Sequence, residues 1–314
     1  MKRISYYLVY GFAYAISLLP FWMLYFLSDM IWVVVYYIAR YRRALVKKNL
    51  SSSFPEKDEK ELKDLEKQFY HWLCDYGVES VKLLSISKKS LFKRLKFSGV
   101  DQLEQMFDEG RNCAIMTGHY CNWEWYTGIM KYMTRHHQVA APVIYHPLYN
   151  EAFDRLFIDI RSANGCVCVA KNDILRSMFN YKKEGRQTMF GYVSDQSPKW
   201  ENMHLWLDFL NHDTPVFTGG ERIMRKMNDA VFFLDIERPR RGYYNMSFKL
   251  ITKEAAKEEE FAITRKYYEL LEANIRRQPP FYLWTHNRWK RGREEFNLKY
   301  DIINGRIVRK EEFK

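Results

Sequence analysis

From Ile4 to Ser28 the chain runs for 25 residues without a charge, and no other feature narrows its possible folds so much. A helix crossing a bilayer needs about 20 predominantly apolar residues, so the stretch is long enough to span. It is too long for the apolar region of a secretory signal, about 7–15 residues, and no small-residue cleavage site ends it. Asp29 interrupts the run, Met30–Ala39 resumes it, and Pro20 splits it. Tyr6, Tyr7, Tyr10, Tyr14, Trp22, Tyr25, Trp32, Tyr36 and Tyr37 make it rich in the aromatics that favour the headgroup level. Two arrangements fit: one kinked span, or two helices at about 5–19 and 21–39 embedded from one side. Lys2 and Arg3 precede the segment, and Arg40, Arg42, Arg43, Lys47 and Lys48 follow it. Positive flanks stay cytoplasmic, which a single span cannot satisfy at both ends, so the hairpin is favoured. The plainer alternative is a core helix of a soluble protein.

Charge narrows the partners. Fifty Lys and Arg against thirty-eight Asp and Glu leave a formal +12, which favours nucleic acid, an anionic membrane or an acidic protein. The apolar start makes the surplus intelligible as attraction to anionic lipid. Five cysteines, Cys74, Cys113, Cys121, Cys166 and Cys168, form no plausible disulfide framework and suit a reducing compartment. Cys166 and Cys168 lack the C-x2-C spacing and second ligand pair of a zinc site, so core roles and no metal are expected.

Residues 51–66 (SSSFPEKDEKELKDLE) are the most polar stretch and lead into a helix reaching about Leu84, with Phe69, Trp72, Leu73, Tyr76, Val81 and Leu84 as its apolar stripe. Beyond Phe97, short apolar runs at Cys113–Thr117, Val139–Tyr145, Cys166–Ala170 and Thr188–Ser194 alternate with helical segments at Tyr149–Ala163 and from an Asn172 cap to Gly185. That alternation predicts an α/β domain, a mostly parallel sheet flanked by helices. Ala230–Glu237 and Tyr243–Thr252 read as a hairpin, and about 258–277 as a helix ended by Pro279-Pro280.

The run TGHYCNWEW, Thr117–Trp125, follows the first of these strands, where ligands of open α/β sheets sit. Five positions separate His119 from Glu124, a turn of about 140° on a continuous helix, so they meet only with His119 in the loop and Glu124 in the next helix's first turn. Asn122 is a suitable cap for that helix, and its dipole favours a carboxylate there. A carboxylate on one imidazole nitrogen fixes the tautomer and leaves the other nitrogen free to take a hydroxyl proton. No G-x-S-x-G motif occurs, so direct transfer is expected rather than a covalent enzyme intermediate. A histidine that merely braces the strand–helix loop is the competing explanation.

H-x4-E behind a membrane-embedded N-terminus resembles the lysophospholipid acyltransferase superfamily, and more narrowly the late acyltransferases of lipid A biosynthesis, of lauroyl/myristoyl type. Four further blocks are similar in kind and order: YHPLYNEAFDRLFIDIRSANG (145–165), SDQSP (194–198), FTGGERIMRK (217–226) and PFYLWTHNRWK (280–290). The resemblance implies His119 as general base, Glu124 as its orienter, and Arg161 and Asp195 as a further active-site pair. Asn122, Gln196 and Thr218 are expected at the substrate. His286, Arg288, Trp289 and Lys290 match the ending and are expected to be structural or near the membrane. His146 replaces a common arginine, and Ser197-Pro198 follows Asp195-Gln196 where an acidic residue is usual, departures that bear on the anion contact and on the acceptor. His136 and His137 have no matching partner.

The sequence therefore implies an anchor over 1–40, a helical linker region over 41–96 and a catalytic domain over 97–314. The expected reaction moves a fatty acyl chain from acyl carrier protein to a hydroxyl of a lipid A precursor, without cofactor or metal, at the cytoplasmic face of a bacterial inner membrane. A monomer is expected, with anionic lipid and a glycolipid acceptor as partners and no nucleic acid. Other readings are a lysophospholipid or aminolipid acceptor and, outside enzymes, a basic membrane- or nucleic-acid-binding module.

Overall fold

The computed structural model describes residues 2–136 and 138–313. Pro20 ends the first helix as its lack of a donor requires: α1 covers Lys2–Leu18, and α2 covers Phe21–Val33 and continues as a wider turn to Ile38. The stretch Phe21–Ile38 is long and apolar enough to cross a membrane, whereas Ile4–Leu18 is shorter. Phe12, Trp22 and Ile38 are 72%, 71% and 72% exposed, so the apolar face of this pair points outward and is not the domain's core.

The same pair carries a polar row that points inward. Helices α3 (Arg43–Ser53) and α4 (Glu59–Lys82) follow, and Asp58 and Glu61 close a capping box at the start of α4. Ser28 donates to Asp75 on α4 at 2.7 Å, and Tyr25 donates to Glu79 at 3.0 Å. Asp29 accepts from Arg241 at 2.5 Å and lies 2.8 Å from His71. Ligand atoms of Asp29, His71 and Asp75 approach within 4.8 Å of one another, a spacing that would suit a metal. Arg241 and Arg238, each 2.6 Å from Asp75, supply the positive charge there. The Ser28 and Tyr25 hydroxyls thus tie the N-terminal helices to buried carboxylates of α4, each bond to a charged group contributing about 1.5–3 kcal/mol, while the half-exposed Asp29 adds less.

The remaining elements build one seven-stranded sheet and its cover. They are α5 (Lys88–Arg94), β1 (Leu95–Ser98), α6 (Val100–Asp108), β2 (Cys113–Thr117), β3 (Pro142–Tyr145), α7 (Glu151–Ser162), β4 (Val167–Ala170), α8 (Ile174–Lys183) and β5 (Met189–Val193). After a short hairpin of β6 (Leu205–Phe209) and β7 (His212–Val216) come α9 (Gly219–Met227), β8 (Ala230–Arg240), β9 (Tyr243–Thr252), α10 (Ala262–Arg277), α11 (Arg293–Lys299) and a hairpin of β10 (Tyr300–Ile303) and β11 (Arg306–Arg309). The sheet order is β1-β9-β8-β2-β5-β3-β4, and only the β8–β9 pairing is antiparallel among the described residues. The expected α/β architecture is present. Strand β2 is buried along its whole length, as a central parallel strand covered on both faces must be. All five cysteines are free, and four are buried.

Some boundaries differ from expectation. The helix anticipated from about 258 starts at Ala262, because Phe261 takes a left-handed conformation at φ 68 that no continuing helix tolerates. The run at 139–145 forms a strand only from Pro142. His136 lies 2.8 Å from Asp108, and His137 falls outside the described residues.

Candidate active site

Strands β2 and β5 lie side by side and parallel, with Thr117 opposite Val193. Two residues beyond each partner come His119 and Asp195, so the register alone brings them face to face. His119 Nδ1 is 2.6 Å from Asp195 Oδ1. Gly118 lets α10 approach the loop closely: a Cβ there would lie 2.7 Å from the Leu271 side chain. The loop is strapped from outside by the segment after α10. Leu283 N–H donates to the His119 carbonyl at 3.1 Å, and the Cys121 N–H donates to the Phe281 carbonyl at 2.7 Å. The aromatic ending of the sequence thus fixes the histidine's backbone.

Asp195 is fully buried yet ionised. Burial raises a carboxyl, but the charge and hydrogen bond of His119 and the charge of Arg288 outweigh it and hold Asp195 well below the usual carboxylate range. Arg288 Nη2 reaches Asp195 Oδ2 at 3.1 Å, and Nη1 also donates to the Asp195 carbonyl. With the imidazole neutral, the Nδ1–H donates to this fixed anion and the Nε2 lone pair faces outward.

The imidazole–carboxylate pair anticipated from the sequence therefore exists, but its carboxylate is Asp195 and not Glu124. Glu124 stands in the first turn of a short 3-10 helix, Trp123–Lys131, as expected. Both its oxygens are taken by Arg161 from α7, at 2.6 and 2.7 Å, in the forked geometry that suits guanidinium and carboxylate. Trp123 Nε1 donates to Glu124 at 3.1 Å and the Tyr76 hydroxyl at 3.4 Å. Arg161 and Asp195, anticipated as a pair, belong to two neighbouring pairs instead.

His119 and the Glu124–Arg161 pair border one cavity of about 520 Å³, with Asp195 buried behind the histidine. His119, Glu124, Arg161 and Gln196 form its polar end, and Ile115, Tyr126, Val143, Phe157 and Val193 line an apolar part. Such a combination, a few converging polar groups beside an apolar hollow, suits a ligand with a reactive head and a hydrocarbon tail. Gln196 places its amide nitrogen 3.2 Å from His119 Nε2.

Two residues anticipated at the substrate do not border this cavity. Asn122 precedes the 3-10 helix but makes no capping bond, because its amide is drawn 3.0 Å to the buried Glu79. Thr218 is buried just ahead of α9. Conversely, Arg288 and His286 were expected to be structural or near the membrane, and they support the site directly. Their signal was the matched ending itself; their contact with Asp195 and Ser197 is a long-range fact. Trp123, which stacks edge-on to His119 with centroids 4.9 Å apart, and Tyr76 were missed because aromatic residues are common throughout.

The profile of the bacterial lipid A biosynthesis acyltransferases matches residues 1–291. No curated protein matches the chain.

Proposed function

The chain belongs to the bacterial lipid A biosynthesis acyltransferase family, and from that premise we propose that it moves a fatty acyl chain from acyl carrier protein to a hydroxyl of a lipid A precursor. The single observation carrying this reading is the His119 imidazole, its Nδ1 2.6 Å from Asp195, lining a half-apolar cavity. His119 takes the acceptor's proton as the hydroxyl oxygen attacks the thioester carbon, and Asp195 steadies the imidazolium that forms. Arg161, steadied by Glu124, supplies positive charge for the anion developing on the carbonyl oxygen. The reaction takes place at the cytoplasmic face of an inner membrane, where the outward apolar faces of α1 and α2 hold the enzyme by insertion from one side. The +12 charge draws in the acidic carrier.

The test is acyl transfer by the purified full chain in vesicles, using acyl carrier protein thioester and a lipid A precursor, with product mass read directly. Ester formation lost in His119→Ala is the expected result. Turnover confined to lysophospholipid or aminolipid acceptors would replace the acceptor, and full turnover by His119→Ala would remove the mechanism.

A further inference from the structure

Gln196 stands between two anchored residues. On one side Asp195 is bonded to His119 and Arg288. On the other, the Ser197 N–H donates to His286 Nε2 at 3.1 Å. Burial, reinforced by the charge of Arg288, pushes the His286 imidazole down to about 3, so it stays a neutral acceptor at physiological pH. With both neighbours fixed, the Gln196 backbone holds the root of its side chain within reach of the imidazole, while the side chain's own torsions leave the amide displaceable. In the neutral imidazole Nδ1 donates to Asp195, so Nε2 can only accept, and only the amide NH2 of Gln196 satisfies it. The atom that must take the acceptor's proton is therefore already occupied.

We propose that Gln196 caps the catalytic base: its amide holds the His119 lone pair until the acceptor hydroxyl displaces it, which keeps water from being activated against a bound thioester. This rests on the acyl-transfer reading. One water replacing the amide would exchange one hydrogen bond for another and give up its own freedom. An acceptor lipid brings binding energy from the rest of its body to drive the same exchange. In productive transfer the hydroxyl oxygen bonds to the carbonyl carbon and its proton passes to Nε2. The carbon–sulfur bond then breaks and the proton returns from Nε2 to the thiolate, giving an ester and the free thiol. With water in the acceptor's place the same balance gives a free fatty acid and the thiol, so the cap decides the partition.

The experiment measures thiol release and ester formation together, with acyl carrier protein thioester and lipid acceptor, for the wild-type full chain, Gln196→Met, Gln196→Asn and His119→Ala. Methionine keeps the length of the side chain without a donor, and asparagine keeps the donor but shortens the reach. Loss of one neutral hydrogen bond competing with water should raise the hydrolysis-to-transfer ratio roughly fivefold in each Gln196 variant. Gln196 is only partly buried, and the two variants are independent should one fail to fold. An unchanged ratio, with hydrolysis and transfer falling together, would overturn the cap and leave acyl transfer standing. Ester formation by His119→Ala, or none by the wild type, would instead overturn the acyl-transfer reading and the cap with it.

Discussion

The two ends of the central strands bury carboxyl groups in opposite ways. At the carboxyl ends of β2 and β5, Asp195 sits between His119 and Arg288 and remains an anion. At the amino ends the sheet opens on a smaller hollow, about 230 Å³, lined by Asn112, Gln187, Thr188 and Asp229 among others. Asp229 pairs with no cation among the described residues, and burial pushes it up to about 7. Burial is common to both, so the partner alone decides the charge. One end of the sheet keeps an anion against the histidine that we propose as the base, and the other keeps an acid that is neutral until physiological pH.

The largest effect should come from neutralising the paired end. Asp195→Asn should lower turnover about 10²–10⁴-fold, since the amide can neither hold the working tautomer nor stabilise the imidazolium. Steady-state rates over pH should also show the His119 limb displaced. Glu124→Gln should lower turnover less, about 10–100-fold, by loosening Arg161, a partner of transition-state charge. Its pH limb should coincide with that of the unaltered protein, because His119 does not bond to Glu124. A displaced limb in Glu124→Gln and an unmoved one in Asp195→Asn would return Glu124 to the role of orienter.

The smallest effect belongs to the unpaired end. A folded-state pKa raised from about 4 to about 7 means the fold holds a proton that the unfolded chain releases. The resulting stability is complete below about pH 4 and is lost as pH rises through about 7. The shift sets a ceiling of about 4 kcal/mol, and relaxation should leave about 2 kcal/mol. Asp229→Asn should therefore stabilise the protein at pH 8 and leave it nearly unchanged at pH 4, as read by denaturant melts. Equal effects at both pH values would mean Asp229 is not neutral when folded.

Much of this contrast could be anticipated, and some could not. The break at Pro20, strands 113–117 and 189–193 and the hairpin of β8 and β9 were legible because periodicity and turn residues are local. The positions of His119 and Asp195 past strand ends were legible for the same reason. Their partnership was not, since it depends on β2 and β5 being neighbours, which H-x4-E spacing does not encode. That spacing suggested a local partner, and a residue from α7 claimed Glu124 instead. Asn122 was misjudged for a related reason: a buried acceptor 43 positions away outcompeted the helix end. The β6–β7 hairpin escaped notice because Leu210 and Asn211, at φ 53 and 63, make its turn without glycine. The last hairpin, by contrast, turns at Asn304-Gly305, a local signal that the sequence does carry.

The row of Tyr25, Ser28 and Asp29 limits how this enzyme can be altered by recombination. A tether that only adheres to lipid can be exchanged for any other of equal length. Here Tyr25 and Ser28 donate to the buried carboxylates Glu79 and Asp75, and Asp29 pairs with Arg241, so a borrowed polyleucine segment would keep the apolar face and leave each of those groups one partner short. Such a chimera should stay with membranes and melt earlier in detergent than the parent. Equal melting would show the tether to be interchangeable; earlier melting would mean that tether and enzyme can be inherited only together.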